Sequence, residues 1–366
     1  MTPPPAPDLA GAPRVAPPLT IDGRGIGAGR PCYIVAEVSA NHGQSLQTAL
    51  DIIAAAKQAG ADAVKLQTYT PDTMTIDAAT DWFRIPAGNT WGGTSLYELY
   101  RTAWTPWEWH AELQAAAGSA GLAFFSTPFD ATAVDFLSGL DVPAFKIASF
   151  EVVDLPLLAR VGREGKPVIM STGMATADEI REAVDTLRAA GARDIALLKC
   201  TSAYPADPGE MNLRMIPHLA ETFAVVAGLS DHTLGTTCAL GAVGLGAAIV
   251  EKHLTLSRAR GGPDAAFSME PDEFAGMVAA IRELEAALGR VTYERSEEEL
   301  KNLQFRRSLF VVRDVRKGEP LTTQNVRSIR PAHGLAPRHL DRVLGRVASR
   351  DIARGTPLAW DLVAES

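Results

Sequence analysis

Gly228-Leu-Ser-Asp-His232-Thr233 and, further on, Val250-Glu-Lys-His253 decide how this chain folds. Each trails an apolar run with the composition of a buried strand, Phe223-Ala-Val-Val-Ala227 before the first and Gly246-Ala-Ala-Ile-Val250 before the second. The Ala/Gly/Leu-rich segment between them, Cys238 to Leu245, has helical length. Strand, helix and strand in that order make a right-handed parallel unit. The C-terminal ends of two such strands lie side by side, so His232 and His253 are expected in one pocket. Ser230, Asp231, Glu251 and Lys252 are expected around them. Two imidazoles with oxygen donors nearby suit a borderline divalent cation and leave coordination positions open to a substrate. Either histidine alone is as readily a satisfied buried side chain or a surface one; the pairing at strand ends favours the ligand reading.

Upstream, the same unit repeats. Tyr33-Ile-Val-Ala-Glu37-Val is followed by the turn Ser39-Ala-Asn-His-Gly43 and a helix over Leu46 to Ala59. Strand-like runs recur at Ala63-Val-Lys65-Leu-Gln67, Leu122-Ala-Phe-Phe-Ser-Thr127 and Ala144-Phe-Lys146-Ile-Ala-Ser149. Pro167-Val-Ile-Met-Ser171 and Ile195-Ala-Leu-Leu-Lys-Cys200-Thr complete the upstream set. With the opening pair this gives eight strands, each apolar at its start and polar at its end. Strands alternating with helical stretches predict a parallel sheet, and eight such units predict a closed (β/α)8 barrel, a TIM barrel of the α/β class. Thr105-Pro-Trp-Glu108 and Thr176-Ala-Asp-Glu179 carry the capping-box spacing that starts two of its helices. A helix from about Pro271 to Leu288, stopped by Gly289, closes the barrel domain.

The segment from Tyr69 to Trp104 interrupts this pattern. Together with the helix start that follows, it holds five of the six tryptophans: Trp82, Trp91, Trp104, Trp107 and Trp109. It leaves the end of the second strand, where barrel enzymes build their sites, so it is expected to form a lid or wall of the substrate pocket. For most of these aromatics, packing against the outer helices is the plainer expectation.

Hydrophobic content of 46% and charged content of 21% over 366 residues describe an ordinary globular protein. No apolar run is long enough to span a membrane. The Pro/Ala-rich stretch 1–20 has neither the basic start nor the apolar core of a signal peptide and is expected to be disordered. Cys32, Cys200 and Cys238 suit reduced thiols, hence a cytoplasmic enzyme. Residues 21–289 are assigned to the barrel, 290–304 to a charged linker and 305–366 to a small, mostly β domain. In that last domain Asp314-Val-Arg-Lys-Gly-Glu-Pro-Leu321 nearly recurs as Asp351-Ile-Ala-Arg-Gly-Thr-Pro-Leu358. It carries +6, against −14 on the rest and −8 overall. It lacks the aromatic interleaving and lysine clusters of nucleic-acid binders, so an acidic protein surface or anionic substrate is its expected partner.

The eight strand ends bring together Glu37, Lys65, Gln67, Thr127, Lys146, Ser149, Ser171, Thr201, Ser202, Tyr204, Ser230, His232, Glu251 and His253. Lysines inside strands are costly to bury without an anion, and a phosphate bound by Lys and Ser/Thr would supply one. No glycine fingerprint for a nucleotide follows any strand.

These motifs resemble the sialic acid synthase family. The resemblance rests on Tyr33-Ile-Val-Ala-Glu-Val-Ser-Ala-Asn-His-Gly, Lys65-Leu-Gln-Thr-Tyr, Ser126-Thr-Pro-Phe-Asp, Phe145-Lys-Ile-Ala-Ser and Ser171-Thr-Gly-Met. It continues through Cys200-Thr-Ser-Ala-Tyr-Pro, Gly228-Leu-Ser-Asp-His-Thr and Glu251-Lys-His, and in the last domain Asn325-Val-Arg-Ser-Ile-Arg330-Pro is similar to that family's antifreeze-like (SAF) domain. Thr90-Trp-Gly-Gly-Thr-Ser-Leu-Tyr-Glu-Leu-Tyr and Thr105-Pro-Trp-Glu-Trp most resemble its bacterial pseudaminic acid branch.

The resemblance implies condensation of phosphoenolpyruvate with the open aldehyde form of an N-acetylated amino sugar, releasing phosphate. It implies that His232 and His253 hold a divalent metal, manganese first, with magnesium or cobalt also compatible. Lys65, Thr127, Lys146, Ser149, Ser171 and Ser230 match the phosphoenolpyruvate positions, and Tyr204 and Asp264 the sugar-side positions. Glu37 and Glu251 are the candidates for proton handling. Arg330 matches an arginine that the SAF domain of a second protomer places over the site, implying a domain-swapped homodimer. For the pseudaminic branch the sugar would be 2,4-diacetamido-2,4,6-trideoxy-altrose. N-acetylneuraminate and legionaminate synthases are the alternatives within the family, and a Schiff-base aldolase using Lys146 or Lys65, or a non-catalytic sugar-binding barrel, those outside it.

Overall fold

The computed structural model describes residues 17–88 and 90–364. The chain divides into two compact units, one up to Gly289 and one from Arg290 onward. In the first, a short antiparallel hairpin, β1 (Leu19–Ile21) and β2 (Arg24–Ile26), precedes eight parallel strands. These are β3 (Tyr33–Glu37), β4 (Ala63–Thr68), β5 (Ala123–Pro128), β6 (Phe145–Ile147), β7 (Val168–Ser171), β8 (Ile195–Cys200), β9 (Val226–Asp231) and β10 (Ile249–His253). They close into a barrel in which β10 returns to pair with β3, as the sequence predicted.

Strand parity divides the core in two. Odd-numbered residues of β3 and β4 (Tyr33, Val35, Ala63) face inward with Phe125, Ile169, Leu198, Val226 and Ile249. Their neighbours Ile34, Ala36, Val64 and Leu66 face outward under the helices. Each fully buried aliphatic side chain contributes about 1.5–3 kcal/mol relative to exposure, so both layers hold the barrel. Gly228 faces inward where a side chain would not fit: an added Cβ would lie 2.4 Å from the Ile249 carbonyl oxygen. The hairpin inserts Leu19, Ile21 and Ile26 into the inner layer, closing the barrel at its N-terminal end.

Three sequence expectations change. The disordered start cannot reach residue 20, because β1 begins at Leu19; residues 1–16 lie outside the described residues. The expected strand over Phe223–Ala227 begins at Val226, because Phe223 is the buried last residue of the helix Met215–Phe223 and Ala224 turns left-handed at φ +52°. Strand β10 likewise runs from Ile249 through His253, so the site residues lie on the strand itself rather than after it.

The second unit is built around the antiparallel pair β11 (Ser308–Val311) and β12 (Val326–Ile329). Leu309, Val311, Val315, Leu321, Val326, Ile352 and Leu358 form its core. The near-repeat is used as paired turns: Val315 and Ile352 exchange backbone hydrogen bonds of 2.9 and 2.8 Å. The stretch read as a linker contains a capped helix, Glu297–Asn302.

Candidate active site

Because successive strand residues face opposite ways, the polar C-terminal residues of inward parity meet at one mouth. They line a cavity of about 430 Å³ with Glu37, Lys65, Lys146, Ser149, Ser171, Tyr204, Ser230, His232, Glu251, His253 and Asp264 among its walls. Thr127 stands beside it, accepting from Lys65 Nζ at 3.2 Å. Arg330 belongs to the second unit, exposed just past β12.

Asp231 and Lys252 have outward parity. They pair with each other at 2.7 Å, fully buried, instead of surrounding the histidines. Lys252 Nζ also donates to the Thr233 carbonyl at 2.7 Å, and Thr233 returns two hydrogen bonds to Asp231 Oδ1. The expectation that both line the pocket is therefore corrected by the phase of the strands.

The two lysines differ. Lys65 Nζ lies 2.7 Å from Glu37 and 3.6 Å from Glu251, so carboxylates of the protein already neutralise it, against the expectation that it awaits an anion. Burial opposes its charge, yet Glu251 and Glu37 hold its pKa above the ordinary lysine value. Burial pushes Glu37 up to about 7 despite Lys65. Lys146 donates to Ser171 Oγ at 2.7 Å and to the Ile147 carbonyl at 2.9 Å and has no carboxylate within ion-pair distance among the described residues. Burial lowers its pKa. Of the two, Lys146 is the amine with no protein carboxylate beside it among the described residues.

His232 and His253 stand with ring centroids 5.4 Å apart. His232 Nδ1 lies 3.0 Å from the Thr201 carbonyl, which can only accept, so Nδ1 carries a proton; burial opposes the ring's charge, but the neighbouring Cys200 raises its pKa. Among the described residues, His253 Nδ1 and Glu251 Oε2 are buried without a hydrogen-bond partner. Burial, then His232, keeps the His253 pKa well below the ordinary value, as a neutral ligand requires. Among the described residues no cluster of three or more His, Cys, Asp or Glu side chains forms a metal site. His232 and His253 are the two imidazoles that could hold a divalent ion here. That donor set fits a borderline metal.

The insertion splits as its two expectations did. Trp91 lines the cavity, donates from Nε1 to the Pro263 carbonyl at 2.8 Å and packs 5.3 Å from Tyr204. Ile85, Leu96, Leu99 and Tyr100 extend this apolar wall. Trp107 instead stacks on Phe136 at 4.7 Å, and Trp109 meets His42 edge-on, both away from the cavity.

Sequence reasoning did not single out Glu151, whose charge reaches Lys146 although it is not among the residues lining the cavity. Among the described residues its Oε2 is buried without a hydrogen-bond partner, and burial, eased by Lys146, raises its pKa to about 7. The signal was a carboxylate two residues past Ser149 at a strand end.

Fold and site together define a (β/α)8-barrel enzyme whose mouth joins buried amines and hydroxyls to an imidazole pair. A model described as the NeuB family matches residues 52–293, and an SAF-domain model matches 306–364. The chain belongs to the NeuB family. It is 45% identical to a pseudaminic acid synthase of Helicobacter pylori over 92% of this chain and 99% of that protein. It is 36% identical to an N,N'-diacetyllegionaminic acid synthase of Legionella pneumophila over 92% and 95%. Among solved structures it is similar to an N-acetylneuraminic acid synthetase of Leptospira borgpetersenii, with TM-score 0.71 and 30% identity, covering 80% of this chain and 96% of that one.

Proposed function

We propose that this protein condenses phosphoenolpyruvate with 2,4-diacetamido-2,4,6-trideoxy-altrose to give pseudaminic acid and phosphate. The observation that carries the reading is the convergence of Lys65, Lys146, His232 and His253 on one cavity. The higher identity to the pseudaminic acid synthase than to the legionaminic enzyme supports the choice of sugar. So does the apolar wall of Ile85, Leu96 and Leu99, which suits a sugar lacking a 6-hydroxyl.

In this reading Lys146, with Ser149, Ser171 and Ser230, holds the phosphate and carboxylate of phosphoenolpyruvate; Lys65 and Thr127 complete that grip. The enol carbon attacks the aldehyde carbon and leaves C2 cationic. Water adds to C2 and gives one proton to Glu37 or Glu251, which passes it to the former aldehyde oxygen, now a hydroxyl. The second proton leaves the C2 hydroxyl with the departing phosphate, which takes the electron pair of the C2–O bond as the ketone forms. A manganese-type ion held by His232 and His253 would supply Lewis-acid polarisation of the aldehyde. Tyr204 and Asp264 contact the sugar. Exposed Val291, Tyr293 and Leu300 support a domain-swapped homodimer in which Arg330 serves the partner's site. No helix among the described residues is long and apolar enough to cross a membrane, which agrees with a cytoplasmic setting.

A phosphate-release assay tests this. The expected result is release from phosphoenolpyruvate with the diacetamido sugar, lost on chelation and restored by manganese. Faster turnover of N-acetylmannosamine overturns the choice of sugar. A Schiff-base aldolase is the second reading, favoured by the lowered pKa of Lys146. Borohydride trapping of a pyruvate adduct, with activity surviving chelator, would select it.

A further inference from the structure

Ser39 stands at the mouth in a conformation its side chain disfavours. It follows β3, is 1% exposed, and has φ +46°, in the left-handed region where a non-glycine residue carries strain. Its hydroxyl occupies a fixed place in a chain of hydrogen bonds. Gln67 Nε2 donates to Glu37 Oε1 at 3.2 Å and to Ser39 Oγ at 2.8 Å. An amide nitrogen only donates, so Ser39 accepts there and its own proton goes to Asp264 Oδ2, with which it makes a short hydrogen bond. The Ala40 N–H reaches the same oxygen at 3.4 Å. Both protein donors thus fall on Oδ2, while Oδ1 of this cavity-lining carboxylate has no hydrogen-bond partner among the described residues.

We infer that Ser39 is a positioning residue of the sugar pocket: by binding Asp264 Oδ2 it turns the carboxylate so that Oδ1 accepts from an N–H or O–H donor of the amino sugar. The strained backbone is what brings its Oγ between Gln67 and Asp264. Glycine would adopt the same turn more easily but could not orient the carboxylate. This rests on the condensation reading given above.

The test is a double-mutant cycle on the full chain, S39G and D264N, with phosphoenolpyruvate and the diacetamido sugar varied separately. S39G keeps the φ > 0 backbone accessible, and S39A serves as a second variant lacking the hydroxyl. The expected result is a rise of about tenfold in the KM for the sugar in both Ser39 variants, the size of one lost hydrogen bond to a charged group. The KM for phosphoenolpyruvate stays within twofold, and S39G adds nothing in the D264N background. An unchanged sugar KM, an equal rise in both KM values, or the same S39G effect with and without Asp264 overturns the inference. Wild-type protein that releases no phosphate with any amino sugar overturns the condensation reading first, and this inference with it.

Discussion

Asp231 and Lys252 pair 2.7 Å apart on the outer face of the barrel wall, while their chain neighbours His232 and His253 turn inward. The pair ties β9 to β10 at the point where the histidines must be held. Removing one partner leaves a buried charge uncompensated, which costs about 3–5 kcal/mol. K252M is therefore expected to lower the melting temperature sharply, and D231N/K252M to recover part of the loss. Thermal denaturation of the three proteins measures both effects.

Lys65 and Lys146 should respond oppositely to the same substitution. K65M leaves Glu37 and Glu251 facing each other without their shared cation and is expected to destabilise the fold. K146M removes a buried amine that has no carboxylate partner, so the fold should be kept or strengthened. Its kcat/KM for phosphoenolpyruvate should fall about 100-fold or more, the loss of a charge-assisted contact in a dry site. Melting curves and steady-state kinetics on both variants give the comparison.

Two buried histidines outside the cavity set a pH limit on stability. Burial lowers His42 to about 4, with His110 adding to it, and burial lowers His110 to about 4 as well. Each accepts or donates one hydrogen bond to a threonine, Thr105 at 3.2 Å and Thr68 at 2.8 Å. Their folded pKa values lie below the unfolded value of about 6.5, so the unfolded chain binds more protons between those limits. Stability is thus whole above about pH 6.5 and declines as pH falls toward 4, by on the order of 3 kcal/mol for each histidine. Denaturation at a series of pH values should show this slope, and H110N should flatten it.

Gly173 admits no side chain. An added Cβ would lie 2.3 Å from Ser202 Oγ and 2.8 Å from Ser149 Oγ, while its own N–H donates to Ser149 at 3.1 Å. G173A should displace Ser149 and cut kcat/KM for phosphoenolpyruvate at least tenfold. Adding S202A removes the nearer clash and should restore part of that activity, as kinetics on the single and double variants would show.

The barrel and most of its mouth were legible because strand parity and the polar ends of apolar runs are local signals. The phase of β9 was not: Phe223-Ala-Val-Val-Ala reads equally as the end of a buried helix or the start of a strand, and Ala224 in a left-handed turn divides it. Asp231 and Lys252 are polar and stand at strand ends like the site residues, but they alternate with His232 and His253 and so face the other way. The ion pairs of Lys65 were not legible because its carboxylate partners come from β3 and β10, distant in sequence. Glu151 escaped because it follows its strand in a short turn, where no periodicity marks which side chains face inward.

The small apolar hairpin of Leu19, Ile21 and Ile26 has a consequence for traffic through the molecule. With that end stoppered, the cavity among the described residues is approached from the C-terminal mouth, where Trp91 and Tyr204 stand in its wall. In the proposed condensation, a compound held against Lys146 would enter and leave past that wall.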